Sequence, residues 1–374
     1  MKQKAIVIGA GIVGLATARA LSLKGYAVTV IERTGKAVGA SVRNFGMVWP
    51  IGQPAGALLS RAERSKMIWK DIADSTGLAY RESGSVHAAY YKDEWIVLQE
   101  LYEIFKAEGR EVELLDKKGV QEKSGATNPD NLIGGLYSAS EMIVDPRVAI
   151  ANIAAYLLEF LDVAFIWGKA VSAIEKNRVY DGSAWIEADL IFVCSGADFE
   201  TLYPDLFAGI EITKCKLQMM RFTSNLPDYD LGASLCGGLS LIHYQSFKAA
   251  PSLNALAQRY QNEMNSYLRY GIHVMVSQHH SGELTVGDSH EYGLTHDPFD
   301  SAEINQMILH YLRQFAAITD WKLSHSWNGI YPKMTNGETH LFLHPSEYVY
   351  ILNGLGGAGM TLSFGLAEEC IHLL

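Results

Sequence analysis

The sequence predicts an α/β protein, α+β overall, with a Rossmann-like nucleotide-binding domain assembled from discontinuous segments and an interleaved domain built on a mixed or antiparallel sheet. Three observations support this. A strand, a glycine-rich turn, a helix and a second strand follow one another within residues 4–33. A buried strand near residue 190 ends at Ser195-Gly196, and a third strand, glycine turn and helix fill residues 348–374. Because these nucleotide-type signals lie far apart, the segments between them should form a second domain.

The N-terminal unit has the spacing of a dinucleotide-binding βαβ unit. Gly9 permits a tight turn, Gly11 lets backbone N–H groups approach a pyrophosphate, and Gly14 lets the helix pack closely on the strand. Glu32 ends the second strand, where a carboxylate can accept hydrogen bonds from both ribose hydroxyls of an adenosine. It would repel a 2′-phosphate, which disfavours NADP. A purely structural glycine turn is the alternative, and these residues do not decide between FAD and NAD.

Length and composition exclude several classes of protein. With 374 residues, of which 48% are hydrophobic and 19% charged, the chain is long enough for two globular domains. Its net charge of −10 and its lack of a basic tract argue against nucleic acid as a partner. No apolar run reaches the roughly 20 residues of a membrane span. A small-molecule ligand is therefore the expected partner.

Two further features indicate a reducing compartment. The three glycines of the first turn interrupt the first apolar run, so we interpret the start of the chain as that of a cytoplasmic protein and not as a signal peptide. The four cysteines lie far apart and lack the spacing of metal ligands. They predict buried thiols, and we expect no metal site.

Apolar periodicity predicts the elements between the nucleotide-type signals. Helices are expected over residues 57–76, 94–108, 117–124, 147–161 and 253–269, and long strands over residues 212–224 and 270–288. A cofactor domain in three pieces suits an extended dinucleotide such as FAD better than a contiguous NAD domain does. We therefore predict an FAD-binding domain of residues 1–80, 144–212 and 325–374, and a substrate domain of residues 81–143 and 213–324.

An ordered series of motifs resembles the D-amino-acid oxidase superfamily of FAD-dependent oxidoreductases, the group that includes glycine oxidase and sarcosine oxidase. It covers nearly the whole chain, beginning with GAGIVGLATA and Glu32-Arg33. The later motifs are the G-x-S-x-x-N-x-G pattern at 39–46, Val-Asp-Pro at 144–146, Ser-Gly-Ala at 195–197, Ser-Gly-Glu-Leu at 281–284, Trp-Asn-Gly at 327–329, Thr-Asn-Gly at 335–337 and the glycine turn at 354–359.

The resemblance implies FAD, held without a covalent bond because residues 324–337 contain no cysteine of the kind that sarcosine-type enzymes use for attachment. Glu32 and Arg33 would hold the adenosine, and Val171 would contact adenine through its backbone. Backbone N–H groups of residues 356–361 would face the isoalloxazine from a helix N-terminus. The full set of implied cofactor-binding residues is Gly9, Gly11, Ile12, Val13, Gly14, Glu32, Arg33, Ser41, Arg43, Asn44, Phe45, Gly46, Val171, Ser195, Gly196, Gly354, Gly356, Gly357, Gly359, Met360 and Thr361.

Three positions depart from the family pattern on the substrate side. Tyr331 stands where amino-acid oxidases have the arginine that clamps a substrate carboxylate through two hydrogen bonds. Gly357 matches a second arginine of glycine oxidase, and Met275 matches a substrate-facing tyrosine. The usual carboxylate clamp is therefore absent. His279 is expected on the same strand face as Met275. The candidate substrate-binding residues are Arg43, Trp49, Gln53, His273, Met275, Tyr331 and Lys333.

The resemblance implies oxidation of a small primary or secondary amine by hydride transfer to the flavin, after which the imine hydrolyses and O2 or another acceptor reoxidises the flavin. We assign no catalytic residue, because this reaction needs a neutral amine and an aligned C–H bond. The loop RNFGMVWPIGQP also resembles a subgroup associated with aminophosphonate breakdown, so an aminophosphonate or an N-substituted amine is a candidate. The alternatives are a D-amino acid or glycine-type oxidase or dehydrogenase, and a flavin-binding protein without turnover.

Overall fold

A computed structural model describes residues 2–226, 228–318 and 320–374. Its helices are α1 (Ile12–Leu23), α2 (Ala57–Thr76), α3 (Lys92–Ala107), α4 (Lys117–Lys123), α5 (Pro146–Leu161), α6 (Pro204–Ala208), α7 (Leu253–Glu263), α8 (Asn265–Arg269), α9 (Ala302–Phe315) and α10 (Gly359–His372). Its strands are β1 (Lys4–Ile8), β2 (Ala27–Glu32), β3 (Met47–Val48), β4 (Tyr80–Arg81), β5 (Ser85–Ala89), β6 (Val112–Asp116), β7 (Gly134–Ser138), β8 (Met142–Val144), β9 (Ala164–Trp167), β10 (Ala173–Glu175), β11 (Arg178–Tyr180), β12 (Trp185–Glu187), β13 (Leu190–Val193), β14 (Ile212–Ser224), β15 (Ser234–Cys236), β16 (Met275–Gln278), β17 (Leu284–Gly287), β18 (Glu291–Gly293), β19 (Trp321–Met334), β20 (Leu341–Ser346) and β21 (Val349–Asn353).

A six-stranded sheet has the order β20-β21-β13-β1-β2-β9. Its strands are parallel except β20, which pairs antiparallel with β21. The central strands β1 and β13 are almost wholly apolar and buried, because helices cover a sheet of this kind on its faces. The carboxyl ends of β1, β2, β13 and β21 meet at one edge, which is where open α/β sheets bind ligands.

A nine-stranded sheet forms the second layer, with the order β18-β14-β17-β16-β15-β5-β7-β6 and with β19 paired to β14. Most of its pairs are antiparallel, although β15 and β5 run parallel. Its apolar core includes residues from α3, α7 and α9. Two small three-stranded sheets, β3-β8-β4 and β10-β11-β12, complete the fold.

The longest strand pairing joins β14 to β19 in antiparallel register, from Ile212 opposite Met334 to Ser224 opposite Trp321. The register shifts once, between Arg221 and Phe222. Lys333 also forms a bridge with Leu355, just after the last strand of the parallel sheet. This pairing therefore carries residues of the nine-stranded sheet to the carboxyl edge of the parallel sheet.

The predicted elements match the structure where apolar periodicity is strong. Helix α2 begins and ends at the predicted residues, and β14 matches the predicted strand over residues 212–224. The single strand predicted over residues 270–288 is wrong: β16 and β17 form a hairpin whose turn contains Gly282 at φ +85°. The helix predicted over residues 253–269 is interrupted at Met264, where α7 ends and α8 follows.

All six strands of the parallel sheet lie within the three segments predicted to bind FAD, 1–80, 144–212 and 325–374. The domain boundaries themselves stay a prediction. Within the described ranges 2–226, 228–318 and 320–374, no helix combines the length and the apolar character needed to cross a bilayer.

Trp69 links α2 to α10 through packing and a hydrogen bond. Its ring is fully buried, meets the ring of Phe364 edge to face at a centroid distance of 5.3 Å, and donates a hydrogen bond of 2.8 Å from Nε1 to the carbonyl of Met360. Because Met360 lies in the first turn of α10, this bond also fixes the start of that helix.

We expect Trp69→Ala to lower the free energy of unfolding by about 3–5 kcal/mol, the range for removing a buried aromatic side chain. Urea denaturation followed by circular dichroism measures this effect. Met67→Ala is the matched control, because Met67 lies on the same helix with 65% of its surface exposed; its effect should stay within about 0.5 kcal/mol. Equal losses in both variants would contradict the assignment.

Candidate active site

A cavity of about 1450 Å³ lies between the carboxyl edge of the parallel sheet and the nine-stranded sheet. Its wall includes the residues that follow β1, β2, β13 and β21, and residues of β14, β16 and β19 on the other side. Pockets for single small ligands measure about 300–1,000 Å³. This cavity therefore has room for an extended cofactor together with a small substrate.

The glycines of the first turn are required by close backbone contacts. Gly9 has φ +104°, and a Cβ there would lie 2.5 Å from the carbonyl oxygen of Cys194. A Cβ on Gly14 would lie 1.9 Å from the carbonyl oxygen of Gly9. The turn between β1 and α1 therefore keeps its shape only with glycine at both positions, and this shape brings the start of α1 to the cavity.

Glu32 is held in place at the end of β2. Its Oε2 accepts a hydrogen bond of 2.9 Å from the N–H of Ala10, and its Oε1 accepts hydrogen bonds from the N–H and the hydroxyl of Thr34. The neighbouring Arg33 forms an ion pair with Asp198 and keeps 51% of its side chain exposed. Arg33, Asp198 and Val171 line the same end of the cavity, which fits the adenosine position that the sequence implies for them.

The loop over residues 39–54 is shaped by its own polar side chains. The Asn44 amide donates hydrogen bonds of 2.9 Å to the carbonyls of Ala40 and Ser41, and its Oδ1 accepts one from the N–H of Gly46. The hydroxyl of Ser41 accepts the N–H of Ile12 at 2.9 Å. These bonds attach the loop to the first turn of α1, so both form one wall.

Two helices begin at this cavity. The residues that precede α1 and α10 are Gly11 and Ala358, and neither has a polar side chain that could bond the first-turn N–H groups. In α1, Ser41 bonds only the N–H of Ile12, and in α10 the hydroxyl of Thr361 accepts the N–H of Trp49 at 3.0 Å. The first-turn N–H groups that remain at a helix N-terminus stabilise anions such as a pyrophosphate or the negative charge of a reduced flavin.

These features fit FAD. The glycine turn, the oriented carboxylate of Glu32 and the two helix N-termini lie along one continuous wall. Of the predicted cofactor-binding residues, Gly14 and Gly46 lie behind that wall and not on it. A Cβ on Gly46 would meet the carbonyl oxygen of Val144 at 1.8 Å, so both glycines act through packing. All the other predicted cofactor-binding residues line the cavity.

All seven predicted substrate-binding residues, Arg43, Trp49, Gln53, His273, Met275, Tyr331 and Lys333, also line the cavity. His279 does not. It is fully buried, and its Nε2 lies 3.2 Å from the carbonyl oxygen of Phe45. The expectation that it shares a face with Met275 is wrong because β16 ends at Gln278 and the chain turns there.

Tyr331 and Gly357 lie on one part of the cavity wall, called the inner wall below. The backbone of Tyr331 pairs with Cys215, and its ring is buried. A Cβ on Gly357 would lie 3.6 Å from the Tyr331 hydroxyl, so the two positions where the family resemblance implies arginines are neighbours. Burial raises the pKa of Tyr331 well above its ordinary value. The phenol is therefore neutral at physiological pH and offers a single hydrogen-bond donor.

The cavity contains residues that the sequence did not indicate: His243, Tyr244, Asp288, His290 and Tyr292. They come from the 3-10 turn Gly238–Ile242 and its continuation, and from the segment around β18. The sequence feature that could have indicated these residues is composition, since six of the twelve histidines fall within residues 243–296. No spacing rule joins them, because the sheet register brings them together.

Several buried polar atoms of this wall lack a hydrogen-bond partner in the described chain: Trp49 Nε1, both ring nitrogens of His273, and Asp288 Oδ1. An unpaired buried polar group costs about 1–3 kcal/mol. Native proteins rarely keep such groups unless a ligand or water satisfies them. Their position on the cavity wall therefore indicates a ligand-binding surface.

Burial sets the protonation of this end. It lowers the pKa of His273 well below the ordinary value and that of His290 to about 4, and neighbouring charges add to the effect. Burial also raises the pKa of Asp288 well above its usual range. These shifts favour the uncharged forms of both imidazoles and of the carboxyl group.

Comparisons with known proteins agree with this geometry. The family described as FAD dependent oxidoreductase (DAO) matches residues 4–373. The chain belongs to this family. It is an FAD-dependent oxidoreductase, and the predicted cofactor and the family resemblance are confirmed.

Similar proteins match this chain over nearly its whole length. D-amino acid dehydrogenase 2 of Mesorhizobium japonicum is 22% identical over 433 aligned residues, which cover 100% of this chain and 96% of the relative. Glycine oxidase from Bacillus cereus superposes with a TM-score of 0.79 at 17% identity, covering 100% of this chain and 94% of that one. L-α-glycerophosphate oxidase from Mycoplasma pneumoniae, solved with FAD bound, gives 0.72 at 18% identity, covering 100% and 95%. These likenesses confirm the predicted fold class.

We expect Gly14→Ala to lower FAD affinity at least about 100-fold, because the new methyl group displaces the Gly9 carbonyl and with it the turn. Flavin-to-protein absorbance ratios and FAD titration of the apoprotein measure the loss. Gly35→Ala is the matched control, since a Cβ there meets nothing within 4 Å. Gly11→Ala, whose Cβ would lie 3.1 Å from the Ser41 hydroxyl, should give a smaller loss. Full flavin content in Gly14→Ala would contradict this account.

Proposed function

We propose that the protein oxidises a small primary or secondary amine whose anionic group is not an α-carboxylate. The names of relatives such as D-amino acid dehydrogenase 2 and glycine oxidase support an amino-type substrate. The single observation that carries the restriction is the inner wall at Tyr331 and Gly357, where a phenol and a glycine stand in place of the expected arginines. The flavin is held without a covalent bond.

The remaining arginines of the described cavity wall have other partners. Arg33 pairs with Asp198 at the adenosine end. Arg43 donates a hydrogen bond of 3.2 Å to the carbonyl of Asn328. A planar carboxylate held by two parallel hydrogen bonds needs a guanidinium, so neither residue replaces the missing clamp at Tyr331.

Residues of the cavity wall favour the neutral, reactive form of the amine. FAD, when bound, accepts a hydride from the carbon beside the amine nitrogen. The oxidation needs the neutral amine, and the buried wall favours it because burial disfavours an ammonium. Met275 and the buried Trp49 supply the apolar surface that orients the substrate and excludes water.

An aminophosphonate or an N-substituted amine suits this wall. A phosphonate presents three oxygens in a tetrahedral arrangement, and a lysine ammonium can bind it as a point charge without a guanidinium. Lys333 supplies a point charge: its Nζ lies 2.9 Å from the Tyr292 hydroxyl, and both residues line the cavity beside Tyr331. The resemblance of the loop RNFGMVWPIGQP to the aminophosphonate subgroup supports the same substrate class.

Anaerobic flavin bleaching tests the proposed substrate class. Matched pairs that differ only in the anionic group are mixed with the enzyme, for example glycine with aminomethylphosphonate and D-alanine with 1-aminoethylphosphonate, together with 2-aminoethylphosphonate and N-methyl amines. We expect a phosphonate or N-substituted amine to bleach the flavin at least about tenfold faster than the carboxylate partner. Rapid bleaching by a D-amino acid would contradict the proposal. Bound flavin that no amine bleaches would instead indicate a flavin-binding protein without turnover.

Tyr331→Arg should restore carboxylate recognition. The guanidinium would supply two parallel donors, worth about 1.5–3 kcal/mol for a charged hydrogen bond. The ratio of kcat/KM for a D-amino acid to kcat/KM for its phosphonate analogue should rise at least about tenfold. Tyr331→Lys is the matched control, because it adds the charge without the paired donors. Equal ratios in both variants, with flavin content preserved, would show that the position does not read the anionic group.

A further inference from the structure

We propose that His243, His273 and His290 bind a zinc ion at the inner wall of the cavity, with an open coordination position that faces the substrate. One ring nitrogen from each histidine lies within 4.8 Å of the others. The ring centroids of His243 and His273 are 3.7 Å apart, and that of His290 lies 5.0 Å from each of them. Three imidazoles so close together, all on a cavity wall, are a ligand set typical of catalytic zinc sites.

The cluster needs only a small inward movement to close around the ion. Zinc–nitrogen bonds of about 2.0–2.1 Å place two tetrahedral ligands roughly 3.3 Å apart. His243 follows the short 3-10 turn Gly238–Ile242 and is an exposed residue of the cavity wall, and its side chain makes no hydrogen bond with the other described residues. Rotation of this side chain therefore brings its nitrogen toward the other two without breaking a hydrogen bond.

A backbone carbonyl orients His290 as a metal ligand is oriented. His290 Nδ1 lies 3.0 Å from the carbonyl oxygen of Gly271 and donates to it, which leaves the lone pair of Nε2 free. A ligating histidine commonly gives its second N–H to a carbonyl or a carboxylate in this way. Asp288 Oδ1 lies 3.5 Å from Nε2 of His273 without a hydrogen bond between them, so a small movement would give His273 the same kind of partner.

Unpaired atoms at the same place are a second, independent observation. Both ring nitrogens of His273 lack a hydrogen-bond partner within the described residues, and bulk water does not reach them because only 4% of the residue is exposed. Asp288 Oδ1 is also unpaired, and 5% of that residue is exposed. A bound ion would satisfy one nitrogen of His273 directly and would draw the other toward Asp288.

Imidazole nitrogens suit zinc among the common divalent ions, and three protein ligands leave its fourth position open. The cluster borders Tyr331 and Lys333 on the cavity wall. The second part of the inference rests on the proposed function: an oxygen of the substrate's anionic group takes the open position, between the zinc ion and the ammonium of Lys333. The metal then binds the substrate's anionic group in place of the absent guanidinium.

Zinc content tests the site without any reliance on turnover. The FAD-loaded protein is freed of metal by dialysis against a chelator, incubated with ZnCl2 and desalted, and its zinc is measured by mass spectrometry and its affinity by calorimetric titration. We expect about one zinc ion per chain. His273→Gln and His290→Gln should weaken zinc binding at least about 100-fold, and Asp288→Asn about ten- to 100-fold.

His310→Gln is the matched control, because His310 is exposed on α9, away from the cavity wall. It should bind zinc as the wild type does. The flavin-to-protein ratio of each variant shows that it is folded. Failure of the FAD-loaded wild type to retain zinc would overturn the inference, as would wild-type zinc affinity in both His273→Gln and His290→Gln.

The role of the ion in substrate binding is separable from the proposed function. Bleaching by the best amine is measured over a range of amine concentrations in the metal-free and the zinc-loaded protein, and zinc should lower the apparent dissociation constant of the amine at least about tenfold with little change in the limiting rate of bleaching. Equal dissociation constants would overturn this role and leave the proposed function standing. Zinc binding in a protein that no amine bleaches would leave the metal site standing and overturn the proposed function.

Discussion

The antiparallel pairing of β14 with β19 is the constraint on which the site depends. It runs from Ile212 and Met334 to Ser224 and Trp321, and it carries one end of the nine-stranded sheet to the carboxyl edge of the parallel sheet. The bridge between Lys333 and Leu355 completes this junction. A shift of one residue in the pairing would turn Tyr331 to the opposite face of the sheet, because the side chains of a strand alternate. The position of the inner wall is therefore a consequence of strand register.

The sequence predicted those parts of the molecule that depend on local pattern. Helix α2 matches its predicted limits because its apolar face repeats at helical spacing over 20 residues. The glycine turn after β1 was also predictable from the sequence. Close backbone contacts allow only glycine at Gly9 and Gly14, so the turn leaves a fixed glycine spacing in the chain. Nearly all the residues expected on the cavity wall lie there, because the family motifs mark the carboxyl ends of strands.

The histidine cluster could not be predicted, because no local rule contains it. His243 follows a 3-10 turn, and His273 and His290 flank the hairpin of β16 and β17, which the alternation of residues 270–288 concealed as one long strand. A backbone hydrogen bond of 2.9 Å from Asp288 to the carbonyl of His273 closes that hairpin and brings the polar residues together. Proximity here arises from tertiary pairing, which a spacing of 17 or 30 residues in the chain does not reveal.

Tyr331 and Gly357, which stand where the family resemblance implies arginines, change the same part of the inner wall. Tyr331 and Gly357 face each other, so the phenol fills space next to the position where a relative would place its second arginine. A carboxylate that entered this wall would lose its hydration and would find the neutral phenol of Tyr331 and the point charge of Lys333 instead of the two parallel donors of a guanidinium. Such unpaired burial discriminates between ligands more strongly than a change in apolar fit does. If the proposed function holds, the inner wall discriminates against an α-carboxylate because it lacks the paired donors of a guanidinium, and a group that recognises a different anion has to supply the charge that the arginines implied by the family resemblance would carry.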